Sequence, residues 1–456
     1  MSKKRVISAL ALILTLALVL AACAPAGEDP APPAENGAAT PAPAPPPADD
    51  TDNDAEEPAP PPEATGITLE FQQWWGVELP PGFFADLVSG FTEQTGIEIQ
   101  LLDNPFAVTR DQIQVGAATG TMADVVGLDG SWVYDFARQG NISNLTALMQ
   151  SAGYDDSQLT DQIRWEGNTY MIPVVNFAYP MFVNMDIVNA AGITEMPTTW
   201  DEFMEAMRVV TAHDSSVSGF AIPLSPVSPS GVQNQVMGWL WATGGNMIQN
   251  GRPNLVGNAD MTATIDFIRA MHDENLLAPG GAAMVEPDML EEFVNGRVAF
   301  MISSLAHLFM IQDGAPDMNL AFIDIPVRDG FTGTSSMTVA NWGIGIASNS
   351  LHQEEAWQFV EFMMSPEVNA RLSAEASAFP GNARSVPDFS AAPPLFMDAF
   401  EIFQRNNAIN EFTGLPLAED LMRTFGTHLI LHLDGDIATA DEMLQMIEDE
   451  WNRVFN

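Results

Sequence analysis

The residues of this 456-residue chain whose types and spacing could do chemistry are informative first for what they lack. His428 and His432 stand four apart in HLILH, a spacing that turns both imidazoles to one face of a helix, as a metal pair requires. The residues between them lack the glutamate of a zinc protease motif and no third ligand is evident, so no metal is expected there. Asp434-Gly435-Asp436 lacks the further, regularly spaced oxygen ligands of a calcium loop and reads as a turn. The chain has no Gly-x-Ser-x-Gly, no phosphate-binding loop and no dinucleotide fingerprint, so neither an enzyme nor a cofactor is expected. Glu291 and Glu292 are adjacent and point different ways on a helix; among sixty acids a hidden glycosidase pair stays open.

Aromatic side chains at strand ends carry a clearer message. Trp74 and Trp75 close the apolar segment ITLEFQQWW (67–75), where an indole can stack on the C–H face of a sugar ring and exclude water; the structural alternative is that one of the pair packs under the loop. Trp239 and Trp241, in MGWLWATGG, are two apart on a helix and point to different sides, one toward the core and one toward a cleft. Trp200 and Trp357 sit inside regular helical patterns and read as core.

The elements that must hold these groups follow from periodicity. A strand over 67–75, a helix from Phe83 to Thr95 with Phe84, Leu87, Val88 and Phe91 on one stripe, and a strand over 97–102 make a βαβ unit of a parallel sheet. A helix around 109–118 and a buried strand over 123–129 extend it. Farther on, Thr199 and Glu202 have capping-box spacing at the start of a helix, and Ser365-Pro366 opens another.

Charge and the amino terminus set the compartment. Lys3, Lys4 and Arg5 precede an apolar run to Leu20, the pattern of a secretory signal over residues 1–22. Leu20-Ala21-Ala22-Cys23 resembles a bacterial lipobox, which implies cleavage before Cys23 and a lipid on it. Residues 23–66 are dominated by Ala, Pro and acids and are expected to form a disordered stalk. Formal net charge is −44, and no lysine follows position 4. Such a chain cannot neutralise phosphates, which excludes nucleic acid as a partner. An acidic solvated surface and a cleft selecting cations are the two readings of the charge.

Strings spread over most of the chain resemble the extracellular solute-binding protein family 1, the maltodextrin-binding-like group that serves ABC importers. They include FTEQTGIEIQ (91–100), ATGTMADVVGLDGSWVYDFARQGNISNL (118–145), YMIPVVNFAYPMFVN (170–184) and AGITEMPTTWDEF (191–203). FVNGRVAFM (293–301), HQEEAWQFVEFMMSPE (352–367) and SAFPGNARSV (377–386) continue the series. The resemblance implies an α/β, two-lobed periplasmic-binding-protein-like (type II) fold with a hinge and an interlobe cleft. It places 67–175 and 298–350 in lobe 1, and 176–297 and 351–456 in lobe 2, with the hinge at Pro173 to Pro180.

It also implies ligand contacts at Asp129, Ser131 and Trp132 after the third strand, where Asp129 or Ser131 alternatively only caps a helix. Asn176 and Tyr179 at the hinge, Ser303 and Ser304 at a strand end, and Asn341 and Trp342 at a strand start join them. Leu305-Ala306-His307 stands where family members often carry an aromatic residue, which weakens transfer of maltodextrin specificity. Arg384 matches a recurrent arginine that binds ligand or pins its loop. The implied function is capture of a carbohydrate by a monomeric, lipid-anchored protein on the extracytoplasmic face of the cell membrane, which hands it to ABC permease subunits. A cationic solute such as a polyamine, a sensor role and an anchored hydrolase are the alternatives.

Overall fold

A computed structural model describes residues 64–391 and 394–455. Cys23, the signal and the stalk up to residue 63 lie outside the described residues. The first strand β1 (Thr68–Gln73), helices α1 (Trp75–Glu78) and α2 (Phe83–Thr95), and β2 (Glu98–Asp103) form the expected βαβ unit. β1 and β2 run parallel in register from Thr68↔Glu98 to Gln73↔Asp103. The α2 stripe of Phe84, Leu87, Val88 and Phe91 is buried on the sheet, and the helix stops at Gly96, whose φ of 71° favours glycine. Then come α3 (Phe106–Thr119), β3 (Val125–Leu128) parallel to β1, α4 (Val133–Arg138) and α5 (Leu145–Ala152).

A hairpin of β4 (Ile163–Trp165) and β5 (Asn168–Ala178) leads through Tyr179 and Pro180 into β6 (Met181–Asn184), the first strand of a second sheet. The chain continues through α6 (Met185–Ala190), α7 (Trp200–His213), β7 (Ser218–Phe220), α8 (Met237–Ala242) and the hairpin β8 (Ile248–Gln249) and β9 (Arg252–Pro253). It follows with α9 (Ala259–Asp273), α10 (Glu286–Val294), β10 (Val298–Ile302), α11 (Leu308–Gly314) and β11 (Leu320–Ile323). The second sheet has the order β11-β6-β10-β7. At the start of α7, Glu202 Oε2 accepts from Thr199 N at 3.2 Å while Thr199 accepts from Glu202 N, the expected capping box.

β12 (Ser336–Ile346) carries the chain back to the first sheet, antiparallel to both β3 and β5. The remaining elements are α12 (Gln353–Met363), α13 (Pro366–Glu375), β13 (Phe379–Pro380), α14 (Pro394–Arg405), β14 (Asn407–Ile409), α15 (Ala418–Leu433) and α16 (Ala440–Phe455). The first sheet runs β13-β5-β12-β3-β1-β2, with β4 and β14 attached to β5 and β12.

Sheet membership departs from the expected lobe boundaries at two places. β10 and β11 lie in the second sheet, so the return to the first begins at β12 and not at residue 298. α12 packs on β12 and α13 on β5 and β13, so residues after 351 stay with the first sheet until β13, and α15 and α16 then pack on α9. An apolar run such as VAFMI suits the centre of either sheet, and its partners are chosen by contacts far away in sequence. Trp200 and Trp357 are core, as expected: Trp200 stacks on Phe267 with centroids 4.4 Å apart and donates to the Pro326 carbonyl. Among the described residues no helix is long and apolar enough to cross a membrane.

Candidate ligand cleft

Three carboxyl groups from separate elements converge near the crossing between the sheets. Glu78 ends α1, just beyond the carboxyl end of β1. Asp129 follows β3, and Glu286 opens α10, which packs on β10 of the second sheet. Ligands of open α/β sheets sit beyond strand carboxyl ends for the reason seen here: loops and helix starts gather there and leave a crevice. Each carboxyl is surrounded by protein yet keeps part of its surface open to water, as groups lining a cleft do.

The environment shifts all three toward the neutral acid. Burial raises Glu78 to about 8, helped by the charge of Glu286 and opposed by the indole N–H that Trp342 donates to it. Burial and the charge of Asp129 raise Glu286 to about 7. Asp129 is also raised by burial, against the hydrogen bonds that Ser131 donates from its backbone N (2.8 Å) and hydroxyl (2.6 Å) to Asp129 Oδ1. Asp129 thus closes a local turn, the capping alternative left open for it, while its charge is felt by Glu286.

Tyr179 stands at the crossing itself. Its backbone N donates to the Thr338 carbonyl at 3.1 Å, and its phenol meets the Ser304 hydroxyl. Burial and the charges of Glu286, Asp129 and Glu78 push the phenol well above its ordinary range, so it remains a neutral donor. Ser304 also accepts from Ala306 N at 3.2 Å, capping the turn Leu305–His307. Ser303 is fully buried, with its hydroxyl 2.9 Å from His307 Nδ1; burial lowers His307 to about 4, so the ring is neutral at neutral pH.

The structure therefore brings Asp129, Tyr179, Ser304 and Trp342 into one neighbourhood, with Ser131 and Ser303 as their supports. Glu78 and Glu286 are additions that reading the chain did not single out, and His307 stands out in the sequence only for occupying a place where the family often has an aromatic residue. Nothing local marks two glutamates among sixty acids; only the charge interaction between Glu78 and Glu286, which stand on separate elements, does.

The other expected residues lie elsewhere. Trp75 is fully buried, stacked on Trp342 with centroids 5.6 Å apart and planes 7° apart. Trp74 packs edge-on against Phe106 and Trp132 and is 3% exposed, so neither tryptophan of the pair offers a free face. Trp239 is wholly buried among Phe203, Phe220 and Phe267. Trp241, expected to differ from it in exposure, is equally buried and donates to Glu411 at 2.7 Å. Asn176 and Asn341 are cross-strand partners, one residue out of phase with Trp342 and Phe177 and hence on the opposite sheet face. Arg384 pairs with Asp155 at the surface and pins its loop through Asn382, the structural alternative.

A second interlobe contact lies beside this space. Trp132 Nε1 donates to Glu419 Oε1 at 2.9 Å, and Arg110 of α3 pairs with the same carboxylate at the start of α15. A cavity of about 290 Å³ opens next to it, lined by Gln114, Asp135 and Leu417 among others. At the histidine pair, His428 and His432 each turn Nδ1 to a backbone carbonyl 2.9 Å away. Among the described residues no group of three or more His, Cys, Asp or Glu side chains is arranged to hold a metal ion.

Two α/β lobes, chain crossings between their sheets and polar groups from both sides facing one crevice define a type II, periplasmic-binding-protein-like fold. Residues 77–370 match the family of bacterial extracellular solute-binding proteins, and the chain belongs to that family. A Brucella abortus (strain 2308) protein, named only as a binding protein, is 23% identical over 304 residues, covering 66% of this chain and 72% of the relative. An ABC transporter solute-binding protein of Thermotoga lettingae, bound with α-D-tagatose, superposes with a TM-score of 0.73 at 17% identity, covering 86% of this chain and 100% of the other. An ABC substrate-binding protein of Listeria monocytogenes in complex with cycloalternan gives 0.71 at 18% identity, over 85% and 98%.

Proposed function

We propose that this protein is the substrate-binding subunit of an ABC importer. It captures a carbohydrate between its lobes and delivers it to the permease, while a lipid on Cys23 tethers it to the membrane. The observation that carries this reading is the convergence of Glu78, Asp129 and Trp342 of one lobe with Glu286 of the other on one crevice beside Tyr179. Carboxyl and phenol groups in fixed positions suit the planar pattern of sugar hydroxyls, which both donate and accept. Relatives of the same fold that were crystallised with tagatose and cycloalternan support a sugar.

The work is done by population shift and not by chemistry on the ligand. A solute that touches both lobes favours the closed form by its differential contacts, and a solute touching one lobe equally in both forms shifts nothing. Native mass spectrometry of the purified protein, followed by fluorescence titration with the sugar released, tests the reading. A stoichiometric saccharide in the spectrum is the expected result; a non-sugar solute held one-to-one overturns the carbohydrate assignment. Palmitate labelling lost in Cys23→Ser tests the tether.

A further inference from the structure

The chain changes lobes once more between β14 and α15, and does so within a few residues. β14 pairs in parallel with β12 of the first sheet, and Asn410 Nδ2 donates to the Val339 carbonyl at 3.0 Å. The next side chain, Glu411, is held by the second lobe: its carboxylate accepts from Trp241 Nε1 at 2.7 Å, Met247 N at 2.7 Å and Ile248 N at 3.2 Å. Gly414 then returns to the first lobe, its N donating at 3.3 Å to the carbonyl of Gly130 beyond β3. α15 follows at Ala418 and packs on α9 and α16 of the second lobe.

So short a path needs sharp turns, and the sequence leaves few residues free to supply them. Pro416 fixes its own φ and restricts Leu415 before it. The left-handed turns fall on Gly414, at φ 76°, and on Leu417, at φ 49° and ψ 39°. Glycine adopts that region freely, whereas a leucine there drives its Cβ against the following carbonyl oxygen. Among the described residues the other non-glycines with positive φ are Glu166, Asn250, Asn275 and Ser377, so Leu417 is the one apolar case. No side chain caps α15 at this residue to compensate.

What holds Leu417 there comes from the opposite lobe. Its backbone N–H is directed at the carboxyl of Asp135 on α4. Two residues on, Glu419 accepts from the Trp132 indole at 2.9 Å and pairs with Arg110 of α3. Leu417 and Asp135 share the walls of the cavity of about 290 Å³, so the residue has room to turn once those contacts part. A strained backbone persists only where its surroundings over-determine it, and here the contacts that do so run between the lobes.

We propose that Leu417 is the return spring of the hinge: closure imposes its left-handed backbone, which relaxes when α15 leaves α3 and α4, so each closure stores strain that drives reopening. This inference rests on the reading of capture by closure above and adds the step that lets the captured molecule go.

The test counts the two forms directly. Cys23 is the only cysteine of the chain, so the mature protein with Cys23→Ser accepts dyes at Val115→Cys on α3 and Val227→Cys in the second lobe, both exposed. Single-molecule energy transfer then separates closed, open and unfolded molecules, both in the protein as purified and after unfolding in urea and refolding, which strips any bound molecule. In the refolded protein, Leu417→Gly and Leu417→Asn, which tolerate the left-handed region, should raise the closed-to-open ratio about fivefold, the lower end for one such residue. Leu417→Ile, of equal volume but branched at Cβ, should lower it by a similar factor. Ratios unmoved, or moved in the same direction by all three, overturn the spring and leave capture by closure standing. A single separation shared by the purified and refolded protein in every variant overturns both.

Discussion

Trp132, which opens α4 on the first sheet, donates its indole N–H to Glu419 at the start of α15, 287 residues away in sequence and packed with the second lobe. Glu419 answers Arg110 of α3 at the same time, so one carboxylate ties two helices of lobe 1 to one helix of lobe 2. Both members of the ion pair are mostly buried, with side-chain exposures of 18% and 13%. Burial and the charge of Arg423 depress the guanidinium of Arg110, against the charges of Asp111 and Asp420. The contact is therefore a mostly buried clasp between the helices and not surface decoration.

Removing the clasp should open the protein. Glu419→Ala leaves Arg110 without its buried counter-charge and is expected to cost the closed form about 2–3 kcal/mol. Small-angle scattering of the ligand-bound protein should show a larger radius of gyration, and the affinity for the native solute should fall. An unchanged scattering curve at saturating ligand would mean that the lobes close without this contact.

Trp342 links the aromatic floor to the carboxyl cluster. Trp342→Phe keeps a ring stacked on Trp75 but deletes the N–H given to Glu78, a change of about 1–2 kcal/mol in binding. Because that bond holds the Glu78 carboxyl down, its loss should move the carboxyl still higher. Infrared titration of the carboxyl band, compared with a Glu78→Gln background to assign it, provides the readout; a downward movement contradicts the assignment.

Stability should fall as the medium turns alkaline, and the sign follows from proton counts. Glu78 at about 8 and Glu286 at about 7 hold protons in the folded state that the unfolded chain has released above its ordinary value of 4.5. Their contribution is complete below about 4.5 and is lost as pH rises through 7 and 8. His307 works oppositely: lowered from 6.5 to about 4, it contributes above 6.5 and loses that contribution as pH falls toward 4. Of these three groups the two glutamates carry the change between 6.5 and 8, so the urea midpoint of the ligand-free protein should decline across that window. In Glu78→Gln with Glu286→Gln the decline should flatten, and a slope equal to that of the parent protein would place the titration elsewhere.

Trp241 should behave as structure and not as binding surface. Trp241→Phe removes the donor to Glu411, which keeps Met247 N at 2.7 Å and Ile248 N at 3.2 Å, and leaves a void in a fully buried site. A loss of about 2–4 kcal/mol in unfolding free energy is expected, with solute affinity unaltered in the fraction that remains folded. A selective loss of affinity at parental stability contradicts this placement.

Reading the chain alone determined what local physics encodes. The α2 stripe, its Gly96 stop, the Thr199–Glu202 capping box and the βαβ order around β1 depend on neighbours a few residues apart, and each stands where periodicity puts it. The crossing at Pro180 was legible too, where the chain leaves one sheet for the other, whereas Pro173, expected in the same interruption, lies inside the continuous strand β5 and pairs with β12. Tertiary structure alone decided which sheet received VAFMI, which tryptophans lost both faces to packing, and which of sixty acids would put Glu78 under the charge of Glu286 and Glu286 under that of Asp129. Those outcomes depend on contacts between segments from about 30 to nearly 290 residues apart. A side chain's charge and shape are written in the sequence, but the field and water around it are set by whatever the fold brings alongside.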